Sequence, residues 1–285
     1  MKAIRSSLFA VLLYGSLALF LIVFLPLFLV FDDDFAWRKT RAWGRLGMWL
    51  QRVVVGTDVV VEGIEKVPPG ASIVASKHES FWETMALTAL LDRPAFILKK
   101  ELTQIPLFGT YLRRLGMIPV DRTRRGATMA SMMEGARKAA AQGRPIVIFP
   151  EGTRTQPGEV GEPRPGVYMI YAELGVPIVP VALNSGTFWP KRHGLYQPGT
   201  IRVRFLPPVE PGLDRPTLLS RVRTEMEGAC FELLKAAHDE RADLPVSPLV
   251  ATALAEGRVQ SRATTSASQR SESPSAAISA KEERT

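Results

Sequence analysis

The chain has 285 residues, 46% of them hydrophobic and 22% charged, with a formal net charge of +8. That is enough for one domain of ordinary size with a buried core and appendages, and the positive balance suits an anionic partner: a lipid surface, a phosphate ester, an acidic carrier protein or nucleic acid. The single cysteine, Cys230, excludes an intramolecular disulfide and fits a reducing compartment.

The first segment, 1–56, reads as membrane-binding helices. Leu8 to Phe31 carries no charged residue. Roughly 24 helical residues at ~1.5 Å each cover ~36 Å, enough for a ~30 Å hydrocarbon core. Pro26 is placed to kink this helix. The run is too long for a cleaved signal peptide, and Asp32-Asp33-Asp34 stands where a cleavage site would need small residues. It is therefore an uncleaved element that spans the bilayer as a transmembrane helix or dips into one leaflet. Phe35 to Val55 mixes Trp37, Trp43 and Trp49 with Arg38, Lys39, Arg41, Arg45 and Arg52 at roughly helical spacing. This pattern predicts an interfacial helix, with tryptophans at headgroup depth and cations toward anionic lipid. More basic residues follow the apolar run than precede it (Lys2, Arg5), which puts the following domain on the cytoplasmic side.

In 57–244, strand-like and helix-like runs alternate. The strands are predicted at Val59 to Val61, Ser72 to Ala75, Ala95 to Leu98, Met117 to Val120, Ile146 to Phe149, Ile178 to Leu183 and Ile201 to Phe205. Helices are predicted at Phe81 to Leu91, Leu107 to Leu115, Ala127 to Gln142, Gly166 to Leu174 and Leu218 to Ala237. The alternation predicts an α/β fold: a mixed, largely parallel sheet flanked by helices. Ligand sites in such sheets gather at the carboxyl ends of strands. The Ser-, Ala-, Thr-, Arg- and Glu-rich segment 245–285 reads as a disordered tail.

Lys77-His78-Glu79-Ser80-Phe81-Trp82-Glu83 follows one predicted strand and opens a predicted helix. His78 and Glu83 have the residue types of a general base and an orienting carboxylate. In one continuous helix they would stand about 140° apart, so they meet only if His78 lies in the turn. Ser80 and Glu83 also form an S-x-x-E capping box, in which Ser80 accepts the amide of residue 83 and Glu83 reaches back to Ser80. Both readings stand, and they are compatible. A zincin motif is excluded because Trp82 occupies the second ligand position. A Ser80–His78 nucleophile pair lacks the G-x-S-x-G elbow.

A second stretch, Ile146-Val147-Ile148-Phe149-Pro150-Glu151-Gly152-Thr153-Arg154, ends a buried-type strand in a charged turn. Gly152 permits close backbone approach, and Arg154 offers a planar fork for a phosphate. A surface turn with a Glu151–Arg154 pair is the plainer alternative. Lys99 and Arg122 each follow a strand end and are candidates to neutralise a phosphate. Arg113, Arg114, Arg122, Arg124 and Arg125 form a dense basic run that suits a membrane, a nucleotide-bearing donor or an acidic carrier. His193 and His238 read as surface residues.

Taken in order, K-H-E-S-F-W-E, K-K-E-L…I-P-V-D-R, F-P-E-G-T-R and V-P-I-V-P-V resemble the glycerolipid acyltransferase family, and most of all its bacterial 1-acylglycerol-3-phosphate acyltransferases. The resemblance covers about 58–205. It implies that His78 is the base that deprotonates a lysophospholipid hydroxyl, which then attacks an acyl thioester, and that Glu83 orients His78. Base catalysis of this kind is worth roughly 10²–10⁴-fold in rate. It further implies that Lys99 and Arg154 hold the substrate phosphate, with Arg122, Glu151, Gly152 and Thr153 completing that site. Val176 to Val181 would lie beside the acyl chain. The implied acceptor is lysophosphatidic acid and the product phosphatidic acid. The donor is acyl-CoA or acyl-ACP, the reaction needs no metal or cofactor, and the implied place is the cytoplasmic face of a bacterial inner membrane.

The sequence departs from the family pattern twice. Lys77 stands where the family usually has Asn, and Glu83 where it usually has Asp. Lys77 is expected to add charge near the phosphate or to help keep His78 neutral. Other readings are acylation of a phosphate-free lyso-lipid such as lyso-ornithine lipid, or a non-catalytic module that binds anionic lipid. Nucleic acid is disfavoured, because aromatic residues are not interleaved with the basic ones in the globular part.

Overall fold

The computed structural model describes residues 1–121, 125–190, 194–257 and 260–261. The chain runs α1 (Lys2–Val30), α2 (Asp33–Leu50), β1 (Thr57–Glu62), β2 (Ile73–Ser76), α3 (Trp82–Leu90), β3 (Ala95–Lys99), α4 (Phe108–Arg114), β4 (Ile118–Val120) and α5 (Arg125–Ala141). It continues through β5 (Ile146–Ile148), β6 (Glu159–Val160), α6 (Pro165–Leu174), β7 (Ile178–Leu183), α7 (Ser185–Phe188), β8 (Gly199–Phe205), α8 (Arg215–Glu240), α9 (Pro248–Glu256) and β9 (Gln260–Ser261). Arg122, Arg124, His193 and the tail beyond residue 261 lie outside the described residues.

Seven strands form one mixed sheet in the order β1-β8-β7-β2-β5-β3-β4. The run from β7 to β4 is parallel throughout, whereas β8 is antiparallel to β7 and carries β1 with it. Strands β2, β5 and β7 are buried at every position, as near-continuous apolar runs covered on both faces should be. Alternate residues feed opposite sides. Val74 joins the core with α1 and α3, while Ile73 and Ala75 join the core with α5, α6 and α8. The parallel run brings the carboxyl ends of β2, β5, β3, β4 and β7 to one edge of the sheet.

The N-terminal helices pack tightly onto this sandwich. Helix α1 is long and apolar enough to cross a membrane, and Pro26 sits within it without ending it. Near its start, Lys2 pairs with Asp243 at 3.2 Å and Arg5 donates to Val54 O at 2.6 Å. Phe9 stacks edge-on against Trp189 and Tyr196. Near its end, Tyr111 donates to Phe20 O and Leu21 O, and Arg114 donates to Phe28 O and Phe31 O and pairs with Asp33. Arg114 is thus committed to the α1–α2 junction instead of facing an outside partner.

Helix α2 departs from the simple interfacial picture. Trp37 is buried beneath the Arg144 guanidinium at 5.5 Å, and Trp43 is half-buried with its indole donating to Ser16. Trp49 alone of the three is exposed. The rings pack inward, Trp37 with Phe28, Tyr111 and Leu115 and Trp43 beside Phe20, while α2 also packs closely on α3. A Cβ added at Gly47 would sit 2.3 Å from Met85 Sδ, and one at Gly44 3.0 Å from Met85 O.

The tail is ordered further than its composition predicts. Ser247 caps α9 by accepting the amide of Val250, Pro248 occupies the first turn, and Gly257 ends the helix at φ +67°. Val250 and Ala253 are buried against the domain, and β9 pairs with β6.

Candidate active site

His78 lies just beyond β2, in the turn that the 140° argument requires. Lys77 still continues the strand, its amide donating to Val181 O at 2.9 Å. The helix opens one residue later than the capping box predicts, at Trp82. Ser80 Oγ accepts the amide of Trp82 at 3.0 Å instead of that of residue 83. The return half of the box forms as expected, with Glu83 Oε1 accepting the amide of Ser80 at 2.7 Å.

Glu83 is fully buried and has five donors. Oε1 accepts from His78 Nδ1 at 3.0 Å and from the amides of Glu79 and Ser80. Oε2 accepts the hydroxyls of Ser80 at 2.7 Å and Ser185 at 2.8 Å. Burial alone would raise its pKa. The bonds and charge from His78, with those from Ser80, outweigh burial and hold Glu83 below the usual carboxylate range. An ionised Glu83 can only accept, so Nδ1 is the donor in this pair, and the neutral imidazole's lone pair lies on Nε2. The ring stacks on Phe149 at 3.9 Å, and 15% of the side chain is exposed. The ring is thus held in one orientation by Glu83 and Phe149.

The turn after β5 is locked to the His78 turn. Thr155 donates both its amide, at 2.8 Å, and its hydroxyl, at 3.2 Å, to His78 O. Gly152 takes φ +68°, a conformation that favours glycine, and its amide donates to Phe149 O at 2.9 Å. Thr153 is exposed and Arg154 half-buried at the same strand-end edge. Lys99 is exposed at the end of β3, the strand beside β5. Its register partner, Val120, lies two residues before Arg122.

A family model described as Acyltransferase matches 58–184. A 1-acyl-sn-glycerol-3-phosphate acyltransferase of Pseudomonas aeruginosa is 31% identical over 239 residues, covering 82% of this chain and 91% of that protein. The chain belongs to the acyltransferase family. A human 1-acyl-sn-glycerol-3-phosphate acyltransferase alpha is 32% identical over 182 residues, covering 61% of this chain and 64% of that protein. The crystal structure of the 1-acyl-sn-glycerophosphate (LPA) acyltransferase PlsC from Thermotoga maritima superposes with a TM-score of 0.70 at 25% identity, over 82% of this chain and 98% of that one.

Two expectations about this acyltransferase's site change with the geometry. Lys77 does not project toward a substrate phosphate. It is buried, with Nζ 2.8 Å from Glu151 Oε1 and 2.7 Å from Glu227 Oε1. Glu151, expected at the substrate, is likewise turned inward to that pair, where it balances an ammonium that would otherwise be a buried, uncompensated charge. Sequence reasoning missed three residues: Ser185, which reaches Glu83 across 102 positions, Thr155, and Glu227. None carries a local signal. His238, read as a surface residue, is half-buried, and burial lowers its pKa.

Ser185→Ala removes one of the five donors to Glu83. A hydrogen bond to a charged group is worth roughly 1.5–3 kcal/mol, so kcat is expected to fall about tenfold or more with KM little changed, as read by steady-state kinetics. Glu79 supplies a pH prediction. Burial lifts its pKa from 4.5 to about 8, against the pull of Lys77 and the amide of Gly186. The folded state therefore holds this proton more tightly than the unfolded one. Its contribution to stability is full below about pH 4.5 and is lost as pH rises toward about 8. Glu79→Gln is expected to flatten that decline, measured as the urea midpoint across this range.

Proposed function

We propose that the protein moves a fatty acyl group from a thioester donor, acyl-CoA or acyl-ACP, to the free hydroxyl of 1-acylglycerol-3-phosphate, giving phosphatidic acid. The observation that carries this reading is the His78–Glu83 pair at 3.0 Å, set on the same sheet edge as Lys99 and Arg154. His78 Nε2 takes the hydroxyl proton as the oxygen attacks the thioester carbonyl. The tetrahedral intermediate collapses with loss of the thiolate, which takes the proton back from the imidazolium. Glu83 stabilises that imidazolium. Lys99 and Arg154 hold the acceptor phosphate, and Arg154 presents the fork that suits it. The thioester is already activated, so this mechanism calls on no metal or other cofactor.

Acyl transfer by the detergent-solubilised protein tests the reading, with lysophosphatidic acid and a phosphate-free lyso-lipid offered in parallel. His78→Ala is expected to abolish transfer and leave membrane attachment intact. Arg154→Ala is expected to raise the KM for lysophosphatidic acid well above its effect on kcat. An unchanged KM in that variant removes Arg154 from the phosphate, and transfer to the phosphate-free lipid alone reassigns the acceptor.

The placement at the membrane follows from α1. The helix is ~42 Å long, and the same domain grips it by Lys2 and Arg5 at one end and by Arg114 at the other. Leu8, Val11, Leu19, Ile22, Val23 and Val30 are left exposed. We infer that α1 lies within one leaflet on the cytoplasmic side of the inner membrane, with these side chains in lipid. Ala3→Cys and Arg38→Cys variants, made over Cys230→Ser, are expected to react with an impermeant maleimide from the same side of sealed vesicles. Labelling from opposite sides means that the helix spans.

A further inference from the structure

One buried charge in the domain has no part in the chemistry described above. Lys77 is 1% exposed. Its ammonium lies 2.8 Å from Glu151 Oε1, donates to both oxygens of Glu227 at 2.7 and 2.9 Å, and donates to Glu159 O at 2.8 Å. The ammonium is hydrogen-bonded to Glu227 and to Glu159 O, with the Glu151 carboxylate in ion-pair contact beside them. Glu227 lies in the middle of α8, 150 positions from Lys77, and its Oε1 also accepts the amide of Gly161 at 3.0 Å. Gly161 fits only because it has no side chain: a Cβ there would sit 2.1 Å from Glu151 Cγ. Four segments of the chain thus close on one charge.

What those segments carry gives the cluster its meaning. Lys77 precedes the base His78. Consecutive residues at a strand end project to opposite sides, so the inward turn of Lys77 goes with the packing of His78 on Phe149. Glu151 is three residues before Arg154, in the turn whose Thr155 is bonded to His78 O. The His78 turn and the Arg154 turn are therefore joined in front through Thr155 and behind through Lys77. Glu227 fixes the rear joint to α8. Burial works against the charge of Lys77, but Glu151 and Glu227 more than offset it and raise its pKa.

We propose that Lys77 and Glu227 are positioning residues for acyl transfer, a buried charge clamp that sets the spacing between the base His78 and the phosphate-holding Arg154. The proposal rests on the roles given to those two residues under the proposed function. Neither Lys77 nor Glu227 touches substrate. Their effect is to hold two turns in one register, where a misplacement on the order of 1 Å costs roughly 100-fold in rate.

The test uses the full-length protein with lysophosphatidic acid and a long-chain acyl-CoA. Glu227→Gln is nearly isosteric and removes one charge. It is expected to lower kcat and raise the KM for lysophosphatidic acid, together costing roughly 10- to 100-fold in kcat/KM, while the KM for the thioester stays unchanged. Lys77→Gln is expected to do the same. The double variant Lys77→Gln/Glu227→Gln should lose less than the product of the two single losses, because the pair acts as a unit. Hydrogen exchange supplies a readout independent of substrate. The amide of Thr155 should lose protection in Glu227→Gln, while the amides of α3 keep theirs. A lowered melting temperature with kcat, KM and Thr155 protection unchanged per folded molecule overturns the clamp, and so does strict multiplicativity of the two single losses. A wild-type protein that acylates no lyso-lipid overturns the functional reading instead, and Thr155 protection then still decides whether the clamp exists.

Discussion

Glu83 is the group on which the site depends. A carboxylate with no exposure to solvent is costly unless every lone pair is used, and here His78, two amides and two hydroxyls use them. Because the acceptor is charged and already crowded, the imidazole has one way to face it and one tautomer. The same bonds define the turn, since two of the five donors are amides of the residues just after His78. Catalytic orientation and local folding are thus a single interaction, and neither can be altered alone. Ser185 extends the dependence to the end of β7, so the His78–Glu83 pair is braced from a distant part of the chain.

The sheet makes this arrangement possible. Strands buried on both faces leave only their ends for polar groups, and the parallel run from β7 to β4 puts five carboxyl ends side by side. Short turns then suffice to bring a base, a guanidinium and an ammonium to one edge from three different strands. The reversal at β8 and β1 lies on the other side of β7, away from the strands that end in charge.

Most of the fold was legible because its signals are local and periodic. All seven runs read as strands in the main domain are strands of the sheet, and the five helical runs recur as α3, α4, α5, α6 and α8. The pairing of His78 with Glu83 was legible because the two lie within one turn. What sequence could not give was direction. Lys77 and Glu151 stand inside the two charged turns and look like substrate ligands there, yet both point into the core, because Glu227 waits on a helix 150 positions away. Trp37 and Trp43 read as interfacial by composition, but Phe28, Tyr111 and Leu115 around the first and Phe20 beside the second, all outside α2, take those rings inside. The start of the tail was misread for a different reason. Ser247, Pro248 and Gly257 are proper helix punctuation, hidden in a composition that otherwise resembles disorder.

The packing of α1 has a consequence for how this protein comes to be. Phe9 and Leu13 belong to the same core cluster as Val179, Val203 and Phe205, so the anchor supplies part of the domain's interior. The helix leaves the ribosome before some of its partners, Trp189 and Tyr196 among them, which are made nearly two hundred residues later. Until they arrive, its inner face is as bare as its outer one, and a lipid leaflet is the natural place to wait. Whatever free energy the outer face gains from lipid is then linked to the folded state, as a ligand's binding energy would be. The lipid leaflet is in this sense a component of the native state, and an acyltransferase of this kind has its full stability only at the surface where its substrates are found.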